Sequence, residues 1–467
     1  MSKCPTLEFL INNALLRKLK RVTVIILWFP RFYGMISEIM KILCKRSQSP
    51  RRCPELSILQ SPRRCPELSI LQSPRRRPEL YILSLVALVF IFMLFTNYKD
   101  GNRTVLLSTK MTTKYTPSFQ PLEPLPTVPF ITIPKDPPLN RKPPILLLTY
   151  MRSGSTFTAD VIQQSPDVFY IYEPLKAFTD QYYYTQSKLC SFTDRGCRLP
   201  KTKFEDASYV VRNILNLFLC DFQHVDRNVL HIMTSRKMST TQARFADCLH
   251  GYNTTKIVEV CTKKMQDICI SKNVFIKTIR LTMEVVELLL DLIPDLKVIH
   301  LIRDPRGVMF SRHRGRVVND TNFKTSAKST CSRILMDIMR SYQLKLKYPH
   351  RIKTQLYEYL AENPLESLYD LHNFTNTTVV SSMKEYIYNH TMTGEHYRGY
   401  YSTTRGNSTM TSITWRMRMK WKDVRVVDKE CQELYEHVGF IPFSDKSQLT
   451  NLSFKTREKE SPLFEKF

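Results

Sequence analysis

The chain contains short apolar runs that each end in a basic turn with hydroxyl side chains. Residues 145–150 (ILLLTY) lead into residues 151–157 (MRSGSTF), and residues 297–302 (KVIHLI) lead into residues 303–312 (RDPRGVMFSR). Continuous apolar runs of this length are typical of parallel strands that are buried on both faces. Residues 159–164 can continue as a helix after the first turn, which gives the strand, turn and helix order of an α/β fold.

A third apolar run, residues 168–172 (VFYIY), ends at Glu173. In an open parallel sheet, ligands bind at the carboxyl ends of the strands, where the following helix offers backbone N–H groups to an anion. Two basic turns of this kind predict one ligand with two anionic groups. We therefore expect an α/β fold whose central parallel sheet is flanked by helices.

The first turn carries groups that can bind a phosphate-like anion. Gly154 permits close approach of the backbone, and Arg152 can offer two parallel N–H donors. Hydroxyl donors are available from Ser153, Ser155 and Thr156. The alternative is a polar turn in which a serine only caps the helix, since the turn lacks the longer glycine spacing of a nucleotide triphosphate loop.

In the second turn, Arg303 stands at the end of the strand and Ser311 stands eight residues later, so both can converge on a phosphate. Asp304 can instead hold Arg306 internally, in which case some of these charges do not touch the ligand. A purely structural ion-pair cluster is the alternative. The presence of both turns in one chain favours binding.

The two segments resemble the nucleotide-binding segments of the Golgi carbohydrate 6-O-sulfotransferases, which act on N-acetylglucosamine, galactose and N-acetylgalactosamine. In that family, R-S-G-S-S/T-F holds the 5′-phosphosulfate of 3′-phosphoadenosine 5′-phosphosulfate, and R-D-P-R-x-x-x-x-S-R holds its 3′-phosphate. The resemblance implies a P-loop-like sulfotransferase domain at residues 143–445, with this nucleotide as co-substrate and no metal. It assigns donor binding to Arg152, Ser153, Gly154, Ser155, Thr156, Phe157, Arg303, Ser311 and Arg405.

Two residues are the catalytic candidates. Glu173 resembles the glutamate of the family's F/Y-E-P segment and is the candidate base for the acceptor hydroxyl, while Arg152 would serve the leaving side. The alternative for Glu173 is a turn anchor at the end of a strand. His300 lies within a strand, which predicts a core histidine, and His313 is more accessible but has no assigned role.

Further segments match the family more loosely. Residues 274–281 (VFIKTIRL) resemble the strand that precedes the second turn, with Lys277 and Arg280 facing the ligands or solvent. Residues 355–364 resemble R-Y-E-D-L-A-x-x-P, but Leu356 and Tyr359 replace its charged residues, so no ionic role is expected of this strand beyond Glu358.

Near the C-terminus, residues 402–409 resemble a T-R-N-S segment with Gly406 inserted. Arg405 could close over the nucleotide, and a glycan on Asn407 would keep the loop exposed. Residues 431–440 resemble the terminal helix of the fold. Residues 446–467 are expected to be a tail.

The N-terminal region predicts a membrane anchor. Residues 80–96 are uncharged and apolar, and an arginine triplet, residues 75–77, directly precedes them. A basic flank stays in the cytosol, which predicts a type II signal-anchor with a lumenal C-terminal domain. A cleaved signal peptide is the alternative, but the segment lies late in the chain and lacks a small-residue cleavage site.

The anchor separates two regions that are not expected to pack a core. Residues 1–79 contain a 12-residue Pro/Arg repeat and 16 Lys and Arg against 5 Asp and Glu, which predicts a disordered basic cytosolic tail. Residues 97–142 are rich in Thr and Pro and predict an extended lumenal stem.

Charge, cysteines and sequons agree with this topology. Of the net charge of +27, the tail carries +11, and the lumenal excess of about +16 that remains suits an acidic donor and an acidic polysaccharide acceptor. A lumenal domain would not meet nucleic acid. Eight cysteines follow the anchor and allow up to four disulfides of undetermined pairing. All eight N-x-S/T sequons also follow it: Asn102, Asn253, Asn319, Asn373, Asn376, Asn389, Asn407 and Asn451.

The predicted protein is a Golgi membrane carbohydrate sulfotransferase that modifies the 6-position of a sugar in a glycan or glycosaminoglycan. One alternative is a Golgi glycosyltransferase, although residues 97–467 contain no D-x-D metal motif. The other is an inactive sulfotransferase-like protein that binds carbohydrate. The sequence leaves the acceptor sugar and the oligomeric state open.

Overall fold

The computed structural model describes residues 142–193, 196–250, 255–394 and 403–458. The predicted tail and anchor lie outside these residues, as does nearly all of the predicted stem, and so do Asn102 and Asn253. No helix within the described residues is both long and apolar enough to span a bilayer.

The predicted strands form a parallel five-stranded sheet. The strands within the described residues are β1 (Ile145–Leu148), β2 (Val168–Tyr172), β3 (Tyr182–Tyr184), β4 (Leu189–Ser191), β5 (Cys197–Arg198), β6 (Asn273–Thr278), β7 (Lys297–Ile302) and β8 (Ile352–Leu356). The parallel sheet has the order β2-β6-β1-β7-β8, and β3, β4 and β5 form a separate antiparallel sheet. The expected α/β fold with a central parallel sheet is therefore confirmed.

Helices account for most of the other described residues. They are α1 (Ser155–Gln163), α2 (Ala207–Phe218), α3 (Arg227–Ile232), α4 (Thr240–Leu249), α5 (Thr255–Cys269), α6 (Met283–Leu292), α7 (Pro305–Arg314), α8 (Phe323–Lys347), α9 (Tyr357–Glu362), α10 (Pro364–Thr375), α11 (Ser381–Thr391), α12 (Ser408–Arg418), α13 (Trp421–Glu430), α14 (Gln432–Val438) and α15 (Lys446–Thr450). Short 3₁₀ turns occur at Pro174–Ala177 and Lys203–Glu205.

Successive side chains of a strand point to opposite sides of the sheet, so a continuous apolar strand has two apolar faces to bury. Helices cover both of these faces. Leu146 and Leu148 of β1 pack with α2 and α6 on one face. Ile145 and Leu147 pack with α1 and α10 on the other face. All four leucine and isoleucine side chains are buried, which explains why β1 reads as a continuous apolar run.

The eight cysteines after the predicted anchor pair completely, as the sequence allowed. The disulfides are Cys190–Cys197, Cys220–Cys269, Cys248–Cys261 and Cys331–Cys431. The first joins neighbouring antiparallel strands, and the last joins α8 to the start of α14 across 100 positions.

Two local expectations need correction. Residues 355–364 are not one strand, because β8 ends at Leu356 and α9 begins at Tyr357. The packed chain also continues past residue 445: Arg416 donates hydrogen bonds to the backbone carbonyls of Leu449 and Asn451, at the C-terminal end of α15.

Candidate active site

A cleft of about 950 Å³ opens at the carboxyl ends of β1 and β7. These strands are neighbours, with Leu148 opposite His300. After β1 the chain passes to one side of the sheet to form β2, and after β7 it passes to the other side to form β8. Such a switch in strand order separates the two connections and leaves a crevice between them, which is the usual ligand site of this kind of sheet.

The first predicted turn lines this cleft and leads into α1. Arg152 and Gly154 both have left-handed backbone conformations, with φ of 72° and 86°, which turn the chain sharply between β1 and Ser155. Gly154 provides no side chain to cap α1. The start of α1 therefore has no side-chain cap, and its first residues, Ser155 to Phe157, line the cleft at the positive end of the helix dipole, as an anion site requires.

The predicted close approach at Gly154 is made by a protein side chain. A Cβ atom at this position would lie 2.1 Å from Cδ2 of Tyr357, so only glycine fits under the ring. Ser153 differs from the other predicted donor residues, because its side chain is fully buried below the cleft. Its Oγ has no hydrogen-bond partner among the described residues.

In the second predicted turn, Asp304 and Arg306 form an ion pair with a structural role. Asp304 accepts the backbone N–H of Arg306 at 2.8 Å, which caps α7, and also accepts two N–H groups of the Arg306 guanidinium. Arg306 is fully buried, and its guanidinium lies 4.9 Å from the ring centres of Trp415 and Phe443. The predicted internal pairing of Asp304 with Arg306 is confirmed.

The other two residues of this turn, Arg303 and Ser311, line the cleft. Arg152 donates its Nε–H to Ser311 Oγ at 3.0 Å, and Arg303 donates Nη1–H to the Arg152 carbonyl at 3.1 Å. Arg312 likewise donates Nε–H to the Met151 carbonyl at 3.1 Å. The two turns are thus joined directly, so a ligand with two anionic groups can meet both.

Glu173 lies at the wall of the cleft, directly after β2, and is almost fully buried. Its carboxylate accepts Lys277 Nζ at 2.5 Å and Arg280 Nη1 at 2.6 Å. Burial acts to raise the pKa of Glu173, but the charges of Lys277 and Arg280 outweigh it, and the pKa lies below its ordinary value. Glu173 is therefore ionised at neutral pH and held by two cations of the β6 segment.

Arg405 lies on the cleft wall beside the second turn. Burial lowers the pKa of Arg405, and the positive charges of Arg152, Arg303 and Arg314 lower it further. Its backbone N–H donates to the His390 carbonyl at 2.8 Å, which fixes the position of the loop. Neighbouring Asn407 is exposed, so a glycan there would not displace Arg405 from the cleft.

The cleft as a whole is basic. Among the described residues that line it, the cationic side chains are Arg152, Lys176, Lys277, Arg280, Arg303, Arg314, Arg405 and Arg418, and the acidic ones are Glu173 and Asp180. Because Glu173 is already paired with Lys277 and Arg280, the remaining cations face the cleft in excess. Such a surface attracts and holds anions.

The two histidines differ as the sequence indicated. His300 is fully buried, with Nε2 2.8 Å from the Tyr150 hydroxyl and Nδ1 2.7 Å from Ser341 Oγ, and burial lowers its pKa to about 3. The prediction of a core histidine is confirmed. His313 lies 2.8 Å from Asp320 near the surface and does not line the cleft.

Glu358 is a buried carboxyl behind the second turn. It accepts the backbone N–H of Asp304 at 3.0 Å, while its Oε2 has no hydrogen-bond partner among the described residues. Burial and the Asp304 charge raise the pKa of Glu358 to about 7, although the Arg303 charge opposes them. Glu358, which the 355–364 segment shares with the family pattern, thus faces the second turn from inside the protein.

Sequence reasoning missed the wall that α12 contributes. Ser408, Thr411, Trp415 and Arg418 line the cleft at intervals of three and four, which places them on one face of the helix. This spacing is visible in the sequence, but α12 is short of apolar residues and gives no strong helical pattern. Tyr357 was also missed, because the sequence placed it inside the strand expected over residues 355–364.

Fold and cleft together define an α/β protein with a basic cleft between two turns. The model of the sulfotransferase family matches residues 143–380, and the chain belongs to that family. In the part of the chain that the structure describes, no cluster of three His, Cys, Asp or Glu is arranged to hold a metal ion.

Several curated relatives are carbohydrate sulfotransferases, in agreement with the resemblance. Carbohydrate sulfotransferase 1 of Mus musculus is 27% identical over 365 residues, which cover 67% of this chain and 83% of the relative. Carbohydrate sulfotransferase 6 of Homo sapiens is 25% identical over 346 residues, which cover 66% and 83%. Carbohydrate sulfotransferase 3 of Tetronarce californica is 24% identical over 367 residues, which cover 68% and 77%.

Solved structures with some similarity are also sulfotransferases. The sulfotransferase domain from the curacin biosynthetic pathway is 16% identical, with a TM-score of 0.34, and the match covers 62% of this chain and 98% of that domain. A mouse sulfotransferase complexed with PAP is 12% identical, with a TM-score of 0.33, and the match covers 63% of this chain and 85% of the other.

Proposed function

We propose that this protein transfers a sulfuryl group from 3′-phosphoadenosine 5′-phosphosulfate to a carbohydrate hydroxyl. The acceptor position proposed is the 6-hydroxyl of N-acetylglucosamine, galactose or N-acetylgalactosamine in a glycan or glycosaminoglycan. The observation that carries the proposal is the direct junction of the two basic turns, through Arg152 and Ser311, in a cleft with excess positive charge.

The residues of the cleft fit a donor with anionic groups at both ends. The open N-terminus of α1, with Ser155 and Thr156, would hold the 5′ side, and Arg303 with Ser311 would hold the 3′-phosphate. The buried Nε of Arg303 has no hydrogen-bond acceptor within the described chain, so this side chain retains donor capacity. Arg405, which lines the same cleft, would also approach the nucleotide.

Transfer requires a base for the acceptor hydroxyl and positive charge near the leaving oxygen. Glu173 is ionised and lines the same cleft as Arg152, so it can take the proton while Arg152 stabilises negative charge on the donor side. Lys277 and Arg280 fix the orientation of the Glu173 carboxylate. The attraction of these two cations also lowers the basicity of Glu173. Glu173 can therefore accept the proton when the acceptor hydroxyl displaces one of the two cations.

We further propose that the protein is a single-pass type II membrane protein of the Golgi with a lumenal catalytic domain. Four disulfides suit an oxidising compartment. The six sequon asparagines within the described residues are all exposed, as glycosylation requires: Asn319, Asn373, Asn376, Asn389, Asn407 and Asn451.

The test is transfer of labelled sulfate by the full-length chain, purified in a mild detergent. Acceptors would be desulfated keratan, desulfated chondroitin and glycans ending in N-acetylglucosamine, each with and without manganese. We expect labelling that needs no manganese and that Arg303→Ala abolishes. Donor binding without labelling of any acceptor would favour the carbohydrate-binding alternative, and failure to bind the nucleotide would refute the proposal.

A further inference from the structure

Tyr357 is placed beside the second turn by strand register. β7 and β8 are parallel neighbours, and Ile302 is the register partner of Leu356. Arg303 and Tyr357 directly follow the two strands, so they leave the sheet side by side. The Arg303 guanidinium lies 4.5 Å from the centre of the Tyr357 ring, a distance at which a cation is attracted to the aromatic face.

The same ring also reaches the first turn. β7 separates β1 from β8 in the sheet, but the ring of Tyr357 extends to Gly154 in the turn after β1. A Cβ atom at Gly154 would lie 2.1 Å from this ring. Tyr357 is only 6% exposed, and it nevertheless lines the cleft. One aromatic side chain therefore contacts both turns that are proposed to hold the donor.

The Arg303 guanidinium makes few other contacts that fix its orientation. Its Nη1 donates to the Arg152 carbonyl at 3.1 Å, and a Cβ at Gly307 would lie 3.1 Å from its Nε. No carboxylate forms an ion pair with Arg303 among the described residues, in contrast to Arg306, which Asp304 holds. Stacking on Tyr357 is thus a main contact that sets the plane of this guanidinium.

We propose that Tyr357 is a positioning residue for the donor: its ring orients the Arg303 guanidinium and fixes the spacing of the second turn from the Gly154 turn. The inference rests on the proposed function, since it assumes that the two turns bind the two anionic groups of one nucleotide. The inference predicts that donor binding depends on the aromatic face of Tyr357 and does not depend on its hydroxyl group.

The experiment measures binding of 3′,5′-adenosine bisphosphate to the full-length protein by calorimetry, together with KM for the donor, KM for the acceptor and kcat. Tyr357→Leu removes the aromatic face, and we expect it to raise the Kd and the donor KM about tenfold while the acceptor KM stays the same. Tyr357→Phe keeps the face and should restore both values. Tyr369→Leu changes an exposed tyrosine of α10 that does not line the cleft, and it serves as the matched control.

The outcomes separate the inference from the proposed function. If the wild type binds the bisphosphate and Tyr357→Leu binds it equally well, the inference is overturned and the function stands. An equal loss in Tyr357→Phe and Tyr357→Leu would assign the effect to the hydroxyl and would also overturn it. If the wild type does not bind the bisphosphate, the proposed function fails and the inference fails with it. Tyr357→Met is measured in parallel, with a thermal melt of every variant, so that a folding defect in one substitution does not remove the comparison.

Discussion

Arg152 donates a hydrogen bond from Nε–H to the hydroxyl of Ser311 at 3.0 Å, across a separation of 159 positions in the chain. This contact joins the turn after β1 to the helix after β7. Each residue also belongs to a segment that is proposed to hold one end of the donor. Loss of the contact should therefore affect the two ends together.

The first prediction concerns this hydroxyl. Ser311→Ala removes the acceptor for Arg152, and we expect the donor KM to rise about tenfold, because hydrogen bonds to charged groups are worth more than neutral ones. Steady-state kinetics with varied donor would measure it. Ser382→Ala, at an exposed position of α11, is the control. A donor KM within twofold of the wild type for Ser311→Ala would contradict the assignment.

Sequence was sufficient for β1, β7 and the two turns that follow them, because these depend on local chemistry. The apolar runs at β1 and β7 can only be buried on both faces, and a basic turn at the end of such a strand must lie at the sheet edge where ligands bind. Neighbouring positions of β1 and β7 in the sheet then bring Arg152 and Ser311 together.

Sequence was not sufficient where the decisive partner is distant. The sequence indicated that Asp304 can hold Arg306, but the rings of Trp415 and Phe443 that enclose this guanidinium come from far along the chain. Glu173 likewise depends on Lys277, 104 positions away. No local pattern reports such contacts.

The second prediction concerns the candidate base. Glu173→Gln keeps the shape of the side chain but cannot accept a proton, so kcat should fall about 100-fold or more while binding of the bisphosphate nucleotide changes little. Single-turnover assays and calorimetry would measure the two effects separately. The opposite pattern, with normal kcat, would make Glu173 the turn anchor that the sequence left as an alternative.

Acid unfolding offers an independent view of the same residue. The pKa of Glu173 lies below its ordinary value of 4.5 in the folded protein, so its contribution to stability is complete above that pH and is lost as the pH falls through the folded pKa. Glu173→Gln should therefore show a smaller loss of stability between about pH 5 and the acid limit of folding. This comparison needs no acceptor.

The third prediction concerns Glu358, whose pKa is raised from 4.5 to about 7. A raised pKa means that the folded protein binds a proton more tightly than the unfolded chain, so this contribution is complete below pH 4.5 and is lost as the pH rises through about 7. Glu358→Gln should stabilise the protein at about pH 8 by about 1–3 kcal/mol and have little effect at about pH 4.5.

Chemical denaturation from about pH 4.5 to about pH 8 would test the Glu358 prediction. Glu385→Gln, at an exposed position of α11, is the matched control and should follow the wild type at every pH. A stability difference for Glu358→Gln that does not change with pH would show that the carboxyl does not titrate in this range. In that case Arg303 would hold it ionised.

The fourth prediction ranks two disulfides by the loops that they close. Cys331–Cys431 closes a loop of 100 positions, and Cys190–Cys197 closes a loop of 7. A longer loop loses more conformational freedom when it is closed in the unfolded chain, so replacing Cys331 and Cys431 by serine should cost about 5 kcal/mol, against about 2 kcal/mol for the other pair. Urea unfolding of the two double variants would give both values. If the short loop cost as much as the long one, strand pairing of β4 with β5 would depend on its disulfide, and the small antiparallel sheet would not be stable without it.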